Sequence, residues 1–306
     1  MCRVPFEPLS YQDFPESRET SAGIRSVPMD PHAVGVEFFP DVVYARRDGL
    51  PLHLQIFVPV MHQQEERCWP LVVYVQGSAW RKQEIHRHMA PLERIAARGY
   101  AVAVVEYRPS DVAPFPAQVQ DAKTAIRFLR KEAAAYRIDP ERVAVMGDSS
   151  GGHTAVLVGL TAGQPLLDTP DLGEFSCAVR CVVDLYGPTD ISRMCQRPST
   201  MDHVSPASPE GRLIGGYDVL QHPDRVAPTV AMRYVGTAPL PPFLILHGNK
   251  DRLVPFHQSL LLYEALRDAG HEALFYRVEG ADHGGPAFFA ENVLSIVCDF
   301  LGRAMK

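Results

Sequence analysis

Short, uninterrupted apolar runs alternate along the chain with longer stretches whose apolar residues recur at helical spacing. Residues 71–75, 101–105, 143–146, 181–185 and 243–246 form such runs, and 274–278 is a further strand candidate. Strands that are apolar at consecutive positions have both faces covered. Between them, residues 118–136 place Val119, Ala122, Ala125, Ile126, Leu129 and Ala133 on one helical face, and residues 256–269 and 286–301 show the same spacing. The alternation predicts an α/β fold, with a mostly parallel central sheet flanked by helices on both faces. Two earlier runs, 42–44 and 52–58, are split by Asp48-Gly49. That dipeptide between β-like runs is a hairpin signal, so an antiparallel N-terminal hairpin is expected to open the sheet.

Two stretches fall outside this rhythm. Residues 1–34 are rich in Pro, Ser and charge without periodicity, and read as an extended arm lying over a single domain of residues 35–306. Residues 190–242 are rich in Pro, Ser, Gly and His and fall between two strands. Loops at the carboxyl ends of parallel strands are where ligands bind, so this stretch is expected to form a lid. No internal repeat is present.

Charge and composition narrow the functional classes. The 306 residues carry 30 Lys+Arg and 36 Asp+Glu, a net charge of −6. The densest positive spots are Arg46-Arg47 and Arg81-Lys82. Counterion release from nucleic acid needs clustered cations, so no nucleic-acid partner is expected. A hydrophobic content of 46% is enough for a buried core and argues against disorder. No apolar run approaches the ~20 residues of a membrane span. The first ten residues, with Arg3, Pro5, Glu7 and Pro8, lack the apolar centre of a signal peptide. A cytoplasmic location is therefore expected, with Cys2, Cys68, Cys177, Cys181, Cys195 and Cys298 as free thiols. Cys177 and Cys181 have no second Cys/His pair nearby, so a zinc site is not expected.

The sharpest chemical signal is Gly147-Asp148-Ser149-Ser150-Gly151-Gly152, which follows the run at 143–146 and precedes a helix-compatible stretch. A Gly-x-Ser-x-Gly turn between strand and helix presents its serine hydroxyl above the sheet, at the positive end of the helix. Ser149, with a glycine two residues away on each side, is the candidate nucleophile, and Ser150 is its neighbouring competitor. A serine hydroxyl needs a base, and the base needs an orienting acid. His283, in the Gly-rich loop Gly280-Ala281-Asp282-His283-Gly284-Gly285, is the candidate base. Asp251, directly after the run at 243–246, is the candidate acid, with Asp218, Asp224 and Glu279 as alternatives. Asp282 is expected to point away. The turn Gln76-Gly77-Ser78-Ala79-Trp80 closes another strand candidate. The N–H groups of Gly77, Ser78 and Ser150 are the expected oxyanion donors, and Trp80 is a candidate wall of the substrate pocket. His86-Arg87-His88 reads as a solvated helix face rather than a metal site.

These features together resemble the α/β-hydrolase superfamily. Within it they are most similar to the carboxylesterases grouped with hormone-sensitive-lipase-like and bifunctional acetylxylan/feruloyl esterases. The resemblance runs from about Trp69 to Leu301. It includes Glu106-Tyr107-Arg108-Pro109, Phe115-Pro116-Ala117, Asp121, the serine turn, Ser208-Pro209-Glu210, the stretch from Pro241 to Gly248 with Asp251, and the His283 loop. It departs where that group usually has His-Gly-Gly, since this chain has Gln76-Gly77-Ser78. The resemblance implies a serine esterase without metal or organic cofactor, acting on a small-molecule ester such as a short-chain acetyl or an aryl (feruloyl) ester. Four other readings use the same fold. A kynurenine-formamidase-like amide hydrolase shares the machinery. An oligopeptidase would need a propeller gate that about 34 residues cannot supply. A non-catalytic ligand-binding protein would be expected to lack a triad member. Ser149 excludes a haloalkane dehalogenase, which needs Asp there. Homo-oligomerisation is left open by the sequence.

Overall fold

The computed structural model describes residues 6–62, 66–236 and 238–306; the expected Cys2 thiol lies outside them. Its strands are β1 (Val34–Arg47), β2 (Leu50–Met61), β3 (Trp69–Val75), β4 (Ala101–Val105), β5 (Ile138–Asp148), β6 (Cys181–Leu185), β7 (Phe243–Gly248) and β8 (Ala273–Val278). They form one eight-stranded sheet in the order β1-β2-β4-β3-β5-β6-β7-β8. β1 and β2 pair antiparallel, as do β2 and β4, and every other neighbouring pair is parallel. Asp48 and Gly49, both at positive φ (48° and 84°), form the two-residue turn of the hairpin. Mirror-image turns of this kind match the twist of the flanking strands.

Successive strand residues alternate between two buried layers, as the pleat requires. Val73, Val75, Ala103, Val143 and Val145 pack with α2 (Ala117–Lys131), α3 (Ser150–Leu160) and α6 (His257–Asp268). Val72, Tyr74, Val104, Ala144, Met146 and Leu246 pack on the opposite face with α1 (Met89–Ala96) and α7 (Glu291–Ala304). α3, which begins beside Ser149, is buried along its whole length; it is apolar nearly all round, which suits only a buried helix.

Two helix boundaries differ from expectation. The helix expected to reach 136 stops at Lys131, because the chain must turn back into β5, and Arg137 does so at φ 49°. The helix expected over 286–301 is split into a 3-10 turn at Pro286–Phe289 and α7, separated by extended Ala290. Residues 190–242 hold the short helices α4 (Pro209–Leu213) and α5 (Pro223–Val226) with 3-10 turns at Ile191–Gln196, Ala227–Thr229 and Ala231–Tyr234. Ile191, Leu213, Ile214, Val219 and Val226 of this segment form a third apolar cluster around Trp80. Residues 6–30 are exposed and contain no helix or strand.

Candidate active site

The site is assembled where strands end and helices or loops begin. At the end of β5 the backbone enters Ser149 at φ 52°, ψ −125°, a conformation that side-chain-bearing residues rarely adopt. The turn is held by the Ser149 N–H, which donates to Leu185 O at 2.8 Å. Its glycines are required by close approach: a Cβ on Gly147 would strike the Gly151 carbonyl, and one on Gly151 would strike the Val75 carbonyl. The hydroxyl of Ser149 thus stands at the N-terminus of α3.

Ser149 Oγ lies 2.8 Å from His283 Nε2, and His283 Nδ1 lies 2.7 Å from Asp251 Oδ2. A carboxylate only accepts, so Nδ1 carries the proton and Nε2 is left to accept from the serine hydroxyl. Asp251 Oδ1 accepts from the N–H groups of Leu253 and Val254, both at 2.9 Å. Burial works to raise the Asp251 pKa, but the bonds from His247 and His283 outweigh it and hold the carboxyl down at about 2. The acid is therefore ionised at neutral pH. Of the other carboxylates considered from sequence, Asp282 turns to Arg252 and to the His283 N–H (2.8 Å) and so ties the base loop to the acid loop. Glu279 bonds Asn249 and Arg277. Asp218 accepts from its own loop, from the N–H groups of Leu220 and Gln221.

The loop after β3 behaves differently from a simple row of donors. Gly77 N–H donates to Asp148 Oδ1 at 2.8 Å, and the same oxygen accepts from Tyr74 Oη at 2.6 Å. Ser78 N–H donates to Ser150 Oγ at 2.9 Å. Two of the three expected donors are thus engaged inside the free protein. The N–H of Ser150 opens α3 and has no intrahelical acceptor. Ala79 has no backbone N–H bond among the described residues and sits at φ 55° beside Trp80 at 53°. Sequence reasoning passed over Ala79, and its signal was its place in the same turn.

A cavity of about 250 Å³ lies over these groups, lined by Gly77, Ser78, Ala79, Ser149, Ser150 and His283 from the sheet side and by Met201, His203, Pro209 and Glu210 from residues 190–242. Trp80 lines it too, but is only 2% exposed and stacks edge-on against His153 at 5.3 Å, so most of its ring anchors the inserted segment. His88, from the tripeptide read as a solvated face, reaches the cavity wall and stacks on Phe289. Among the described residues no group of three His, Cys, Asp or Glu side chains is arranged to hold a metal ion, and no helix is long and apolar enough to cross a membrane.

A mostly parallel sheet with a Ser-His-Asp hydrogen-bonded series at the carboxyl ends of its strands is the α/β-hydrolase fold. Structural likeness agrees. A truncated carbohydrate esterase from gut microbiota superposes with a TM-score of 0.76 at 29% identity, covering 91% of this chain and 99% of that one. The propionate-bound thermophilic esterase Est2 of Thermogutta terrifontis gives 0.68 at 25% identity, over 90% and 96% of the two chains. The chain belongs to the BD-FAE family, whose model matches residues 54–266. Esterase LipC of Mycobacterium tuberculosis is 31% identical over 218 residues, which are 70% of this chain and 53% of LipC. The chain spans about half the length of the curated relatives it matches.

Proposed function

We propose that this protein hydrolyses small carboxylic esters through an acyl-enzyme, with Ser149 as nucleophile, His283 as general base and Asp251 as orienting acid. The observation that carries this reading is the unbroken hydrogen-bonded series from Ser149 Oγ through His283 to Asp251, open to one cavity. His283 takes the serine proton as Oγ attacks the ester carbonyl, and the ionised Asp251 stabilises the imidazolium that forms. The proton passes to the departing alcohol, and a water activated by His283 then releases the acid. The N–H groups of Ser150 and Ala79 are the donors for the tetrahedral oxyanion, because those of Gly77 and Ser78 brace the loop instead. No step needs a metal or organic cofactor. Residues 190–242 act as the lid, with Trp80 as both wall and anchor.

The substrate reading is a short-chain acyl ester, such as an acetate, or an aryl ester of the feruloyl type. The cavity is slightly smaller than the roughly 300–1,000 Å³ of sites for drug-sized ligands, which favours the smaller acyl groups. The likeness to a carbohydrate esterase supports a sugar as the alcohol. The test is hydrolysis of p-nitrophenyl esters of increasing acyl length by the wild type and by Ser149→Ala. Turnover of the short esters that disappears in the variant is expected. A wild type that turns over none of them and forms no covalent adduct with an organophosphonate overturns the reading.

A further inference from the structure

The inserted segment brings a carboxylate to the cavity that the mechanism above does not use. Glu210, at the start of α4, lines the same cavity as Ser149 and His283 and is only 2% exposed. Its Oε1 lies 2.8 Å from His203 Nδ1, while Oε2 is buried with no hydrogen-bond partner among the described residues. Buried carboxylate oxygens are nearly always bonded, so an orphaned one on a residue that lines the cavity calls for a donor.

The surroundings define which donor fits. His203 Nε2 faces Leu253 O at 3.0 Å, a group that only accepts, so Nε2 carries a proton. The remaining proton lies between Nδ1 and Oε1, and wherever it rests the His203–Glu210 pair is neutral as a whole. A neutral pair with one free oxygen suits a neutral hydroxyl donor better than an ammonium group or a metal ion. The pair is also fixed in place. Ser199 Oγ lies 2.8 Å from His203 Nε2 and donates to Leu253 O at 2.9 Å. Leu253 in turn donates its N–H to Asp251. The His203–Glu210 pair is therefore tied through Leu253 to the loop that carries the candidate catalytic acid, which relates the two positions, as a specific site requires. The oxygen is closed to solvent in the free protein, so a bond to it needs the cavity wall to give, and the same lining includes Met201, an unbranched side chain that yields readily to a ligand.

We propose that Glu210 is a specificity-determining residue whose Oε2 accepts a hydrogen bond from a hydroxyl on the alcohol part of the ester, so that the site selects hydroxyl-bearing esters such as partly acetylated sugars. This rests on the ester-hydrolase reading. The probes are the monoacetates of methyl xylopyranoside and the analogues that each lack one free hydroxyl, compared by kcat/KM in the wild type and in Glu210→Met, which keeps the length of the side chain and removes both oxygens. The wild type is expected to prefer the parent over one deoxy analogue by about tenfold or more, the worth of a hydrogen bond to a charged group. That preference is expected to collapse towards one in Glu210→Met. If the Met variant does not fold, Glu210→Asp serves in its place, because it keeps the charge but withdraws the oxygen, and the same collapse is expected. Equal rates on all analogues by the wild type, or a preference that survives the substitution, overturn the assignment while leaving ester hydrolysis standing. A wild type that cleaves no ester at all overturns both.

Discussion

His247 Nε2 lies 3.2 Å from Asp251 Oδ2, the same oxygen that His283 Nδ1 reaches at 2.7 Å. His247 is fully buried at the end of β7, with Nδ1 against Ser259 Oγ at 2.7 Å and Nε2 also within 3.0 Å of Val254 O. Since Val254 O only accepts, Nε2 is the protonated nitrogen, and it braces the same carboxylate oxygen that the candidate base contacts. Replacing it by Leu removes a buried donor, which costs about 1–3 kcal/mol. His247→Leu is expected to lower kcat about tenfold or more with little change in KM, because the loss falls on the orientation of Asp251 rather than on substrate contacts. Steady-state kinetics on a short p-nitrophenyl ester separate the two parameters. A change confined to KM would show that His247 does not act through Asp251.

The backbone at Ser149 stores strain for the sake of its hydroxyl. A non-glycine residue in so sparsely populated a conformation costs about 1–3 kcal/mol, of which glycine returns part to the unfolded chain as entropy. Ser149→Gly is therefore expected to abolish hydrolysis and to raise stability by about 1 kcal/mol in urea unfolding. A variant that is inactive and less stable would mean that the turn is relaxed as it stands.

Gly151 shows the opposite sensitivity. The atom that an added Cβ would meet is the Val75 backbone carbonyl in the middle of the fold, which has no flexible end to move aside. Overpacking of this kind costs typically about 1–3 kcal/mol and more where only backbone can give way. Gly151→Ala is expected to lose about 3 kcal/mol or more by the same urea assay, or to fail to fold at 37 °C. Near-native stability would show that α3 can slide away from β3.

The strand-turn-helix signals made the sheet, the hairpin and the group Ser149, Asp251 and His283 legible in the sequence, because each lies directly after an apolar run and is marked by nearby glycines. The structure brings those three together. Positions whose meaning depends on distant partners were not legible. His203 looks like an ordinary polar residue in a Pro- and Ser-rich stretch, and Glu210 stands out only within Ser208-Pro209-Glu210, with no role attached, until the segment closes over the cavity and His203 meets Leu253, fifty residues further along the chain. His247 stood in plain view beside Gly248, yet only the curl of the loop after β7 turns its ring onto Asp251. The loop from Gln76 to Trp80 was recognisable as a turn, but the occupation of the Gly77 and Ser78 N–H groups follows from Asp148 and Ser150, side chains some seventy residues away.

Two buried titrating groups under the serine turn oppose each other. His153 is buried against Trp80, and burial lowers its pKa to about 4 even though its Nε2–H bond to Thr229 O favours the charged form. Asp184 is buried on β6, and burial raises its pKa to about 7 against the lowering effect of the Gly187 N–H. Below the unfolded histidine pKa near 6.5, the unfolded chain takes up a proton at residue 153 that the folded chain refuses, so this group removes stability as the pH falls from 6.5 to 4. The folded chain, by contrast, binds a proton at Asp184 that the unfolded chain releases between about 3.8 and 7, so this group adds stability over almost the same interval. Each effect is on the order of 3–4 kcal/mol across its window. In combination they are expected to leave these two contributions nearly flat between pH 7 and 4 in the wild type. Asp184→Asn is expected to lose stability on acidification over that range, and His153→Gln to gain it, as read by urea unfolding at half-unit pH steps. Parallel profiles for the wild type and both variants would show that neither group is held away from its ordinary protonation in the folded protein.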